Sequence, residues 1–353
     1  HLQAGVGTTR MIIDDNSRIS LSNNTASGSA DNTIFGFLAG ASIASGGDDN
    51  TLIGDYAGNQ ITTGDNNVVV GSATAKLLTT GSDNIVIGKN ALDAADGTES
   101  LNIAIGTHAM GAVDEGAGAG GTFLADSNIA IGFNALYGGA FGSADKSLLG
   151  NIAIGAYALD ATSTNAHTGT IAIGHQALTV LEDGDGNTAI GYRSQDANTT
   201  SGKNTSVGYS SLGAVSTSGA STGNTAVGYD AGLGITTGLY NTCIGWQAGD
   251  TGNATGNTYV GQAAGSEGTG NYCVFVGMSA GDSGANTTAG TIGIGYQSLQ
   301  ALTDGTDNTA VGNNAGKYVM LGSGNTILGH NAYSQTTSGA NLTGSSDNTA
   351  IGR

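Results

Sequence analysis

Asn187-Thr188-Ala189-Ile190-Gly191 is one copy of a phrase that runs down almost the whole chain. Anchored on its closing glycine, it recurs at Gly36, Gly54, Gly71, Gly88, Gly106, Gly132, Gly155, Gly174, Gly191, Gly208, Gly228, Gly245, Gly261, Gly277, Gly295, Gly312, Gly329 and Gly352. That makes 18 copies; seven of the 17 intervals are 17 residues, and the five of 19 or more read as insertions into that unit. So short a period lies below the helical repeats and near the β-solenoids.

Positions are counted from the anchor glycine, −1 just before it and +1 just after. Position −1 is apolar in every copy, −3 is Thr, Ile or Val, and −4 is Asn except at Thr170, Cys273 and Thr291. Position +3 is Ala or Ser in every complete copy but the one with Thr74. Each copy therefore reads as a short strand entered through Asn and left through Gly. Side chains at −1 and −3 share one strand face and are expected to form the core ladder. The small residues at −2, such as Ala189 and Ala226, then fall on the outer flank with the Ala and Ser of +3. The glycine suits a positive φ or a close approach, and the Asn can bond local backbone or the Asn of the next rung. Asn187, Ile190, Gly191, Asn224, Val227, Gly228, Asn241, Ile244 and Gly245 are on this basis the structural turn and core residues. A second extended stretch is expected from Ala231-Gly232 toward a turn at Thr236-Thr237-Gly238.

The fold class expected is all-β, a parallel β-solenoid of about 18 short rungs over 32–353. Inserted loops fall in 107–131, 133–154, 209–227 and 330–351, and strand-like pieces in 1–31 read as an N-terminal cap or junction. Composition agrees. With 63 glycines in 353 residues and only 10% charged side chains, no single thick core can form. Proline is absent, as suits strands whose N–H groups are all used in a ladder. A net charge of −18 argues against nucleic acid and against an anionic membrane surface, and no apolar stretch is long enough to insert in a bilayer. Small residues repeated along one flank, with little charge around them, read as a packing seam between chains of an oligomer.

Chemistry-bearing constellations are sparse. His1, His108, His167, His175 and His330 are scattered, and no phosphate loop ends in Gly-Lys-Ser/Thr, so neither an enzyme nor a cofactor is expected. Asp-rich turns such as Asp48-Asp49 offer at most weak Ca²⁺ binding. Cys243 and Cys273 occupy different repeat positions and read as buried free thiols. Aromatic residues are the sharper signal: Tyr192, Tyr209, Tyr229 and Trp246 hold position +1 in four consecutive rungs. Stacked, they form a ladder that is a candidate receptor-binding platform, together with Asp114 and Phe123 of the longest insertion.

Asn224 to Gly232, Asn308 to Gly316 and the variant Asn241 to Gly249 resemble the repeats of bacteriophage tail-fibre and tail-spike shafts. They are also similar to the head repeats of trimeric autotransporter adhesins, whose chains form a left-handed parallel β-roll in a tight trimer. Unit length and the Thr-Thr-Gly turns at 62–64, 79–81 and 236–238 favour the phage shafts. That resemblance implies a left-handed coil in a side-by-side homotrimer, serving as a structural shaft on the virion, an extracellular tail appendage. Its partners would be other tail or baseplate proteins and a host cell-surface receptor, glycan or protein. The alternative is the head of a bacterial surface adhesin. A capsule or lipopolysaccharide depolymerase and an ice-binding solenoid rank lower. The last is motivated by Thr at −3, but counted against because that ladder turns to Ile and Val from the rung of Gly71 to that of Gly174 and shares the expected core face.

Overall fold

A computed structural model describes residues 2–3, 9–13, 19–20, 31–95, 97–113, 125–138, 147–162, 167–216, 222–268, 270–282, 288–334 and 346–353. They group into two compact units, His1–Thr170 and Ile171–Arg353. In the first, Leu2–Gln3, Thr9–Ile13 and Ile19–Ser20 form a small antiparallel sheet. Seven three-residue strands follow, from Thr33–Phe35 to Ile152–Ile154, one per repeat and stacked in parallel. A separate parallel pair joins Leu148–Leu149 to His167–Thr168. The second unit stacks eleven such strands, from Ile171–Ile173 to Thr349–Ile351. Every copy of the repeat thus forms one rung, and no helix occurs among the described residues, so none is long and apolar enough to cross a membrane.

Register is strict: Thr188 faces Thr205, Ala189 faces Ser206 and Ile190 faces Val207, and the next rung continues with Thr225, Ala226 and Val227. The corner after the strand explains why it cannot slip. Gly191 has φ 138°, and a Cβ there would stand 2.3 Å from the carbonyl oxygen of Gly208, the anchor of the next rung. Two residues on, Arg193 takes φ 53°, and Gln195 takes φ 51°. This left-handed pattern at +2 and +4 recurs rung after rung, so the second extended stretch expected near Ala231-Gly232 does not form. Asp230 and Gly232 sit there at φ 52° and 60°. The chain coils in tight turns instead, and its N–H groups still reach the neighbouring rungs, as in Arg193 N to His175 O at 3.0 Å and Gln195 N to Ser211 O at 3.0 Å.

Asparagine at −4 enters the strand as part of a buried column. Asn67 Oδ1 accepts from both the backbone N (3.1 Å) and Nδ2 (3.0 Å) of Asn84, while Asn67 Nδ2 donates to Gly81 O at 2.9 Å. Asn187, Asn224 and Asn241 are buried in the same way, and Asn241 bonds Asn224 Oδ1 through its backbone N (2.9 Å) and Nδ2 (3.1 Å). Each such amide uses its donors and its acceptor on adjacent rungs, which is what a buried amide requires. Cys273 fills the position once: its N–H donates to Asn257 Oδ1 at 2.7 Å and its Sγ lies 3.3 Å from Thr288 O.

The core lies on the opposite strand face from the one expected. Position −2 points inward and is fully buried, as at Ala104, Ala130, Ala172, Ala189 and Ala226, and the +3 residues Ala57, Ala177 and Ala231 are buried beside it. Ile190, Val227 and Ile244 point outward and are 36%, 38% and 39% exposed. Apolar character suggested a core for −1 and −3, but a coil this narrow has room for only one residue of each strand, and in most rungs a small one. The Ala and Ser ladders are therefore interior packing, and they are not a seam between chains. Leu at +4 fills the remaining space, as Leu136, Leu159, Leu178 and Leu212 do, all buried.

Candidate functional site

Turning −1 and −3 outward gives each unit a strand face with a single composition. In the second unit five successive rungs carry Thr-x-Ile or Thr-x-Val: Thr188 with Ile190, Thr205 with Val207, Thr225 with Val227, Thr242 with Ile244 and Thr258 with Val260. The first unit presents Phe35, Ile53, Ile85 and Ile87 in the same exposed positions. No Asp, Glu, Lys or Arg lies within any three-residue strand of either ladder. The face is regular in register and apolar apart from the Thr hydroxyls.

A corner away, the +1 side chains of the second unit do stack. Ring centroids of Tyr192 and Tyr209 lie 5.2 Å apart and those of Tyr209 and Tyr229 5.0 Å apart, with planes within 9° of parallel. Trp246 holds the same position one rung on, half exposed. The column also takes in His175, stacked on Tyr192 at 5.3 Å and 8°. Reading the histidines as a scattered set hid this; His175 follows Gly174 as Tyr192 follows Gly191. Strands about 4.8 Å apart impose this pairing on any rings repeated at one corner. Inner rings of the column spend both faces on one another and turn their edges to solvent. Asp114 and Phe123 lie outside the described residues, as do the middles of all four inserted loops.

A second corner position carries aromatic residues that the sequence reading passed over. From the rung of Gly191 onward, position −5 reads Gly186, Lys203, Gly223, Tyr240, Gly256, Tyr272, Gly290, Asp307, Gly324 and Asp347, a strict alternation of glycine with a larger residue. Tabulating that position would have found it. All ten take a positive φ, between 57° and 73°.

Among the described residues, the acids that depart from their ordinary range are raised by desolvation. Burial pushes the Asp250 carboxyl up to about 6, and the carboxylates of Asp282, Asp230 and Glu267 add to the shift. The Ser266 hydroxyl bonds the Asp282 carboxylate. Cys243 and Cys273 are buried free thiols, and burial raises the Cys243 thiol to about 12, out of reach of reactivity at neutral pH. At the Asp48-Asp49 turn, Asp48 N donates to the Asp65 carboxylate at 2.8 Å. Among the described residues no three His, Cys, Asp or Glu side chains converge as metal ligands. Compared with known proteins, the chain matches no family model, no curated protein and no solved structure.

Proposed function

We propose that the chain is a structural shaft of a bacteriophage tail fibre or spike, a left-handed β-roll whose copies stand side by side as a homotrimer. The observation that carries this reading is the outward apolar ladder at −1 and −3. An isolated soluble chain rarely leaves a contiguous apolar patch larger than a few hundred Å². Ile190, Val227 and Ile244 lie in one such row, each more than a third exposed, and side-by-side copies would cover it. The repeat phrase supplies the resemblance to phage shafts, and a rung-by-rung stack suits a mechanical role. Host-surface contact, if the shaft makes it, falls to the inserted loops and the aromatic corners.

Light scattering on the purified chain tests the assembly. Three times the 34.4 kDa chain mass is expected. Combining Ile190→Asp, Val227→Asp and Ile244→Asp should give monomer with an unchanged β-sheet circular dichroism spectrum. A monodisperse wild-type monomer would overturn the trimer.

One observation favours a second reading, an ice-binding solenoid. The Thr ladder faces outward and not into the core, and five successive Thr-x-Ile/Val rungs give a regular, uncharged lattice. Thermal hysteresis of the dilute protein decides it, and none is expected if the face is buried between chains.

A further inference from the structure

Tyr240 and Tyr272 are 65% and 68% exposed, among the most exposed large side chains described, and both hold a left-handed backbone, at φ 57° and 60°. That backbone belongs to the coil, since Lys203, Asp307 and Asp347 share it at the same position; what sets the two tyrosines apart is how much of each ring is exposed. Both rings sit alike. The point where a Cβ would stand on Gly223 lies 2.9 Å from Cδ1 and 3.2 Å from Cε1 of Tyr240; on Gly256 it lies 2.8 Å and 3.1 Å from the same atoms of Tyr272. Each ring thus leans one edge on the glycine of the preceding rung. Its plane runs along the stack, and at this exposure a face is left open to solvent. Here the two corners differ, because the column from His175 to Tyr229 buries its faces in itself.

Alternation sets the spacing. Tyr240 and Tyr272 are two rungs apart, roughly 10 Å along the stack. Gly256, which has no side chain, holds the same position on the rung between them. Two rungs are close to the rise of two pyranose residues in an extended β-1,4-linked glycan, so alternate sugars of one chain would meet the two rings. Polar groups line the path: Thr255, and Asn271, whose Oδ1 accepts from Thr255 N at 2.8 Å. Exposed, rigid aromatic area beside a few hydrogen-bonding groups is the chemistry that binds sugar rings.

We propose that Tyr240 and Tyr272 form a two-ring platform for an extended, uncharged β-1,4-linked polysaccharide lying along the solenoid. The proposal rests on the shaft reading only in that this corner stays outside the assembly face.

The probes are cellohexaose and chitohexaose, titrated calorimetrically against the full chain, with maltohexaose as the helically coiled control. At least one β-1,4 hexasaccharide should bind, its disaccharide at least about tenfold more weakly, and maltohexaose weakly or not at all. Tyr240→Ala and Tyr272→Ala should each lose about tenfold, and Tyr240→Phe should bind as wild type. Light scattering is run on every variant. Hexasaccharide binding that survives Tyr240→Ala and Tyr272→Ala, or absence of binding by wild type, overturns the platform while leaving the shaft reading intact. A change of assembly mass in Tyr240→Ala or Tyr272→Ala also overturns it, by showing that these rings belong between chains.

Discussion

Gly265 stands against the ring of Tyr259, so close that a Cβ on it would fall 2.4 Å from Tyr259 Cε1. The pair belongs to one rung, at +4 and −2, and shows how the narrow interior is kept full. Where −2 is aromatic, +4 is glycine, in Tyr259 with Gly265 and in Phe275 with Gly281; a Cβ on Gly281 would lie 2.6 Å from Phe275 Cε2. Where −2 is Ala, Ser or Gly, a buried Leu takes the space in Ala172 with Leu178, Ser206 with Leu212 and Gly293 with Leu299, whereas Ala226 with Gly232 and Ala310 with Gly316 are filled from neighbouring rungs, by Leu212 and by Leu299 and Ile327. Close-packed interiors respond to the sum of such volumes.

Gly265→Ala is therefore expected to cost about 3 kcal/mol, from overpacking and from a backbone at φ 60°. Tyr259→Ala should cost about as much by leaving a cavity. Tyr259→Ala combined with Gly265→Leu recreates the pairing of Ala172 with Leu178 and should regain most of the loss. Urea unfolding of the three variants checks this, and simple additivity would contradict the volume exchange.

Breaking the amide column removes bonds that water cannot replace. Asn67→Ala leaves the Asn84 backbone N–H and the Gly81 carbonyl without their buried partner, for an expected loss of about 2–3 kcal/mol. Cys273→Asn should do the reverse. An amide there can donate to Thr288 O in place of the thiol and offer Oδ1 to the next rung, for a gain of about 1 kcal/mol seen as a higher Tm.

Two acids with raised pKa give opposite ends of the pH profile. Asp250 titrates near 6 in the fold against 3.8 free, so the folded chain holds a proton that the unfolded chain releases between those values. Its contribution is whole below pH 4 and lost as pH rises through 6. Asp250→Asn should stabilise the fold at pH 7 by less than about 1 kcal/mol, since the group is partly solvated, and leave stability unchanged at pH 4, as thermal melts at the two pH values would show. For Cys243, at about 12 against 9.0, stability holds below pH 9 and falls by about 1.4 kcal/mol per unit above it. Cys243→Ala should flatten that alkaline decline in thermal melts.

Lys203 is exposed and takes φ 63° at the position where the rungs on either side have Gly186 and Gly223. Lys203→Gly should stabilise by about 0.5–1 kcal/mol, as relief of left-handed strain outweighs the added freedom of the unfolded chain. Differential scanning calorimetry would show it as a small rise in Tm.

The repeat made the architecture legible: strand, asparagine column and glycine corner are where Asn187, Thr188 and Gly191 place them. Which face is the core was not legible, because Ile190 is more hydrophobic than Ala189 and only the width of the coil reverses their roles. The second strand failed for a related reason. Ala231-Gly232 has no local mark of its left-handed turn beyond the glycine itself, and Leu212 holds the same conformation without one. Of the candidate site, the column from Tyr192 to Tyr229 followed directly from the spacing. His175 and Tyr240 did not, since one was sorted by residue type and the other lies at a position that alternates rather than repeats.

The volume exchange between −2 and +4 has a consequence for how such a chain can lengthen or recombine. A crossover that separates the two positions joins, for example, the Tyr259 half of one rung to the Leu178 half of another, and the hybrid interior is overfilled. Breakpoints in the turn before the asparagine keep each pair together. Gene duplication and shuffling in this lineage should accordingly leave their seams there, with whole rungs as the unit of inheritance.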